Sequence, residues 1–144
     1  MHDLPHFYSV MVDATAQNTL RCNAENLPEL VVAAPAQFDG PGDQWSPEQL
    51  LMAAAANCFV LSFRTVAEIA KLEWESIQCH TEGELDKVAR TMLFTKINTK
   101  VKLQLKDVAS KDKAETLLKK AEMICLVSNS LSAEKHLEIE IVGS

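Results

Sequence analysis

No basic run in this sequence exceeds two residues, and the formal net charge is −6. Phosphate recognition needs a lysine and arginine footprint, so nucleic acid is excluded as a partner. No unbroken apolar run approaches the ~18 residues of a membrane span, so no membrane partner is expected. The opening Met1-His2-Asp3-Leu4-Pro5-His6 lacks the basic-then-apolar order of a signal peptide, and a cytoplasmic location is expected. Cys22, Cys58, Cys79 and Cys125 include no C-x-x-C pair, which removes zinc-ribbon and thioredoxin-like readings. In a reducing compartment their even number is no argument for a disulfide framework. His80 and His136 lack metal-ligand spacing, so no metal or cofactor is expected. Repeats and low-complexity tracts are absent too.

What is there is an ordinary globular composition, 47% apolar and 24% charged over 144 residues. That length suits a single domain, residues 1–144, burying roughly two-thirds of its unfolded surface. Residues 7–13, 19–24 and 29–34 read as short strands, and Pro35 to Asp43 as a loop. Ser46-Pro47-Glu48-Gln49 then starts a helix by three rules: a capping serine, a proline in the first turn, and a glutamine closing a capping box. The helix should run to about Lys71, with Leu50, Leu51, Ala54, Cys58, Leu61, Val66 and Ile69 among its apolar residues. Such a helix must be covered on most sides, by a sheet and second helix or by a second subunit.

From Lys96 to Lys106 apolar residues alternate with polar ones in a half-buried antiparallel strand with a lysine-rich wet face. Residues 74–85 are its expected hairpin partner, joined through residues 86–90. A second helix is expected over 110–128, with Ala114, Leu117, Leu118, Ala121, Ile124, Cys125 and Ser128 on one stripe. Leu137, Ile139 and Ile141 alternate with Glu138 and Glu140 in a last strand. The fold class is α+β, antiparallel sheet packed on two long helices.

Cys58 and Cys125 both fall on the apolar stripes of those helices. On periodicity alone they are either small core residues or a redox pair. Cys22 and Cys79 read as packing residues in strands.

The stretch "SPEQLLMAAAANCF" (residues 46–59), with "CLVSNSL" beginning at Cys125, resembles the OsmC/Ohr family of thiol peroxidases. In that family a helix opening N-P-E-x-L reaches A-A-C-F ten residues after its glutamate. A second cysteine lies in C-P-x-S near the end of the next long helix. Glu48 and Cys58 have the same spacing, and Cys125 lies 67 residues further on, without the proline. The segment "GELDKVARTMLFTKINTKVKL" is similar to the family's strand pair.

The resemblance implies an OsmC-like intertwined homodimer with sites at the subunit interface, reducing organic hydroperoxides to alcohols. Cys58 would be the peroxidatic cysteine and Cys125 the resolving one, joined in a disulfide during turnover. It also implies an external dithiol or lipoylated protein as reductant, and no bound cofactor.

The chemistry makes a further demand. Only the thiolate attacks an O–O bond, and a free thiol near pKa 8.5 is mostly protonated at neutral pH. Cys58 lies roughly 18 Å from the start of its helix, too far for the helix dipole to help. A cation is needed, and the family supplies an arginine paired to the glutamate at position 48. One family branch carries it in R-F-x-G, where this chain reads Gln37-Phe38-Asp39-Gly40. The other carries it in G-R-x-G, where this chain reads Ala16-Gln17-Asn18-Thr19. Arg21 is the only arginine ahead of the helix, and so the candidate activator, with Glu48 orienting it. The displaced arginine favours the alternative reading: an OsmC-fold protein without peroxidase activity that binds a small apolar ligand at the dimer interface.

Overall fold

The computed structural model describes residues 1–143. Its contacts divide the chain into two compact units, Met1–Leu51 and Met52–Ser144.

The first unit is a three-stranded antiparallel sheet in the order β1-β2-β3, from β1 (Met11–Asp13), β2 (Leu20–Asn23) and β3 (Leu30–Val32). Asn18 and Asn26 hold positive φ angles of 73° and 62° in the two connections, a conformation asparagine tolerates better than most residues. Trp45 returns beside β3, where its carbonyl accepts the Ala33 N–H at 2.9 Å. Next to it the capping box forms as its residues dictate. The Gln49 N–H donates to Ser46 Oγ at 3.1 Å, and the Ser46 N–H donates to Gln49 Oε1 at 3.3 Å. Helix α1 (Pro47–Ile69) starts there and continues into the second unit.

The second unit holds the rest of α1, a long hairpin, two further helices and a last strand. Strands β4 (Trp74–Val88) and β5 (Thr91–Leu105) are longer than alternation alone suggests, because they pair almost to the tip. Only Ala89 and Arg90 remain to turn the chain, and both adopt positive φ, 50° and 73°. A two-residue turn with both φ positive follows strand twist, yet costs a side-chain-bearing residue roughly 1–2 kcal/mol. Replacing Ala89-Arg90 by Asn-Gly is therefore expected to stabilise the protein by about 1 kcal/mol or more. Urea unfolding would read this as a raised midpoint at unchanged slope.

After β5 come α2 (Lys111–Ile124), the short α3 (Leu126–Asn129) and β6 (Glu134–Gly143). Strand β6 runs parallel to β5, so the second sheet is mixed, order β4-β5-β6, where purely antiparallel sheet was expected. Apolar–polar alternation is the same in either direction, so the pattern of β6 did not encode its sense.

The core lies between this sheet and the helices. Phe59, Phe63, Val66 and Ala67 of α1 meet Leu117, Leu118 and Ala121 of α2 over Val101, Leu103 and Leu105 of β5. Within the single chain α1 is covered on one face and not on most sides: Leu61 and Ile69 are 58% and 77% exposed. The helix is apolar nearly all round, so its pattern could not select a face; the two bulky phenylalanines do.

By length and composition α1 could cross a membrane, with a mean hydropathy of 1.6 over its best window. The run-length criterion missed this because Asn57, Ser62, Arg64 and Thr65 break the run, while the leucines, valines, phenylalanines and alanines around them keep the mean high. One face of the helix, with Phe59, Phe63 and Ala67, is buried in the core of the single chain, and 28% of that window is buried in all.

Candidate functional site

Two of the four expected site residues come together in the second unit. Cys58 lies half-buried on α1, and Cys125 is fully buried where α2 gives way to α3. Cys125 does not sit within a continuous helix, as its stripe position suggested. Its φ of −62° and ψ of 103° are extended, which breaks the helix into α2 and α3. Ile124 consequently leaves the expected stripe and is 44% exposed.

The alanine run explains how a thiol from one helix reaches the other. Ala55, 3% exposed, ends at its Cβ, so the Cys125 junction approaches the α1 backbone. Cys125 Sγ points its proton at the Ala55 carbonyl, 4.0 Å away. Cys58, on the same helix, packs against the core that contains Cys125.

Burial pushes the Cys125 thiol above its ordinary pKa. Hydrogen bonds from the Ser128 hydroxyl and amide pull it back, and the Cys58 hydrogen bond and charge push it up again. Ser128 is 5% exposed and three residues after Cys125, so an extended cysteine at the start of α3 offers its sulfur to that residue. The Cys-x-x-Ser spacing, which matches the family's C-P-x-S apart from the proline, is the sequence signal for Ser128.

A second group of polar side chains stands beside this pair. Cys79 of β4 faces inward opposite Val101 and packs against the core that contains Cys125. Its Sγ is 3.8 Å from Thr81 Oγ1. Burial raises its pKa, the Thr81 hydrogen bond lowers it, and the charges of Glu122 and Cys125 raise it further. Burial also pushes the Glu122 carboxyl up, while Lys135 of β6 draws it down. The Lys135 ammonium donates to the Leu131 carbonyl.

The other two expected residues lie in the first unit. Arg21 on β2 pairs with Glu29 at 3.6 Å, and its side chain is 69% exposed. Glu48, in the first turn of α1, buries carboxylate Oε1 with no hydrogen-bond partner.

A family model for OsmC-like protein matches residues 40–140, most of the chain and both cysteine segments. The chain belongs to the OsmC family. A relative in Bacillus subtilis (strain 168), the uncharacterized protein YmaD, is 31% identical over 112 residues, covering 76% of this chain and 75% of its own. The fold matches an OsmC-like protein of unknown function from Vibrio cholerae with a TM-score of 0.86, at 17% identity over 94% of this chain and 99% of that one. An organic hydroperoxide resistance protein OsmC from Legionella pneumophila superposes with a TM-score of 0.72, at 23% identity over 96% and 99% of the two chains. The likeness to these two structures establishes the α+β OsmC fold.

Proposed function

We propose that this OsmC-family chain is a cysteine-dependent peroxidase of organic hydroperoxides. The observation that carries the reading is the gathering of Cys58 and Cys125 at one core, one thiol partly accessible and the other sealed inside it. The half-buried Cys58 meets the hydroperoxide. Its thiolate attacks the distal oxygen, the O–O bond breaks, and the alkoxide leaves as an alcohol after taking a proton. The resulting sulfenic acid condenses with Cys125, releasing water and forming the disulfide. An external dithiol, free or carried on a lipoylated protein, restores both thiols by exchange. No bound cofactor enters this scheme, and a reducing cytoplasm returns the pair to its resting state.

Resolution has a pH signature. Cys125 attacks as thiolate, and its pKa is raised, chiefly by burial. Disulfide formation should therefore accelerate with rising pH and go on accelerating beyond the ordinary thiol range near 8.5.

The site is completed by a second copy of the chain. An α1 with exposed Leu61 and Ile69 has apolar surface left to cover, which supports an intertwined homodimer. The unpaired Glu48 Oε1 supports a cationic partner, and Arg21 is the arginine we assign to it. Its contact with Glu29 is exposed and worth at most about 1 kcal/mol, little enough to be exchanged. Arg21→Ala is expected to slow hydroperoxide reduction about tenfold and to slow alkylation of Cys58 at neutral pH. The deciding experiment adds an organic hydroperoxide such as cumene hydroperoxide with a dithiol, measures its consumption, and maps cysteines. Turnover with a Cys58–Cys125 cross-link supports the proposal; neither one sinks it.

The second reading, a ligand-binding OsmC protein without this activity, is favoured by the displaced arginine, since Arg21 pairs with Glu29 and not with Glu48. It predicts an apolar ligand bound with Cys58 unreactive and Arg21→Ala without effect.

A further inference from the structure

The break between α2 and α3 has no residue in its own sequence to cause it. Ile124-Cys125-Leu126-Val127 holds neither proline nor glycine, and Leu126 stands where the C-P-x-S motif has its proline. A proline at that position would hold the residue before it in extended backbone and take its own N–H out of the helix ladder. Cys125 is extended all the same, with φ −62° and ψ 103°. Another group must hold it.

Asn129 reaches across the break. Helix α2 ends at Ile124, so the Met123 carbonyl is among those left without an N–H partner inside the helix. The Asn129 side-chain Nδ2 donates to it at 3.0 Å, where an unbroken helix would use the Val127 N–H. The Asn129 backbone N–H donates to the Cys125 carbonyl at 2.9 Å. One residue thus ties both the end of α2 and the cysteine itself to α3. The Cys125 sulfur, so held, lies 4.0 Å from the Ala55 carbonyl of α1. Cys58 is three residues further along α1, on the same face as Ala55 and about 4.5 Å on along the axis.

We propose that Asn129 is a positioning residue that keeps the Cys125 sulfur turned towards α1 and Cys58. Its side-chain amide does by hydrogen bonding what a proline at position 126 would do through its ring. Without that amide the Met123 carbonyl regains the Val127 N–H, α2 runs on, and Cys125 takes helical angles that displace its sulfur. The importance of Asn129 for turnover rests on the peroxidase reading; its control of Cys58–Cys125 bonding does not.

The test brings the full chain to equilibrium in mixtures of reduced and oxidised dithiothreitol, with no hydroperoxide present. Cys58 and Cys125 give two electrons and two protons to oxidised dithiothreitol as their S–S bond forms and its ring S–S bond breaks. Acid-quenched samples are alkylated and digested, and the fraction of Cys58–Cys125 peptide gives the equilibrium constant. Asn129→Ala should lower that constant about two- to tenfold, the effect of one lost hydrogen bond. Leu126→Pro added to Asn129→Ala should restore the parent value. Proline suits the first position of α3, and Leu126 is 70% exposed, so the exchange disturbs little packing. A proline replaces no contact of the asparagine, only the backbone angle it holds, so this rescue marks positioning rather than general stability.

Asn129→Asp keeps the shape and loses the donor; it should match Asn129→Ala, and stands in for it if that chain does not fold. Three results overturn the proposal: a parent constant in both Asn129 variants, a lowered constant that Leu126→Pro leaves low, or a parent chain that forms no Cys58–Cys125 disulfide. With cumene hydroperoxide as oxidant, Asn129→Ala should leave the first oxidation of Cys58 unchanged and let dimedone trap more of its sulfenic acid. A parent chain that consumes no hydroperoxide, yet shows the expected constants and their rescue, removes the peroxidase reading and leaves the role of Asn129 standing.

Discussion

If the proposed peroxidase chemistry operates, Cys58→Ser protein is expected to consume organic hydroperoxide only at the uncatalysed background rate, a fall on the order of 10³-fold or more. A serine hydroxyl stays protonated at neutral pH and is a poor nucleophile toward an O–O bond, so the covalent step disappears. Removal of a covalent nucleophile typically costs at least this much. Cys125→Ser gives a different result. The first oxidation proceeds, one equivalent of hydroperoxide is consumed per chain, and turnover stops at the sulfenic acid. Stopped-flow consumption with a dimedone-type trap separates the two variants. Equal steady-state rates in Cys58→Ser and parent protein would end the peroxidase proposal.

Phe63→Ala is expected to destabilise the protein by about 3–5 kcal/mol. Phe63 is fully buried, and its ring meets Trp74 edge-on at 5.4 Å with 64° between planes. The cavity falls where α1 crosses the start of β4, and an edge-to-face pair worth roughly 0.5–1.5 kcal/mol is lost with it. Thermal unfolding should shift down by roughly 10 °C or more in a chain of this size. Leu61→Ala is the contrast, because Leu61 is 58% exposed in the single chain. If a second copy covers α1, Leu61→Ala lowers the unfolding temperature too, and the loss grows on dilution. A Leu61→Ala protein as stable as its parent at every concentration removes the homodimer from the proposal.

Local signals were the ones the sequence displayed openly. The Ser46–Gln49 capping box is a contact between residues three apart, so its chemistry is written in four letters. The alternation over Lys96–Lys106 likewise placed β5 and its wet face. The direction of β6 was not legible, since alternation is symmetric under reversal. Nor was the break at Cys125: Leu126-Val127-Ser128-Asn129 continues a helical pattern with no proline or glycine to end it. The spacing of Cys58 and Cys125 pointed to their pairing through family resemblance, while Glu122, Cys79 and Lys135 meet only through the fold. Residues from a helix and two strands, over fifty positions apart at the extremes, leave no periodic trace. The buried, unpaired Glu48 Oε1 was illegible too, because Arg21, the partner the sequence suggested, pairs with Glu29 within the first unit.

The parallel β5–β6 pairing has a consequence for the growing chain. β6 joins β5 only after α2 and α3 have been made, matching Lys96 to Glu134, Lys100 to Glu138 and Lys102 to Glu140. Until then β5 is an open edge, the kind of surface through which chains aggregate. In that interval its lysines meet identical lysines on any other nascent copy, and like charges directly opposite are unfavourable. The same residues then welcome the glutamates of β6, one cross-strand pair at a time. A ribosome releasing a chain that stopped before Glu134 would release one still held apart from its siblings by charge, and missing the strand that its lysines were waiting for.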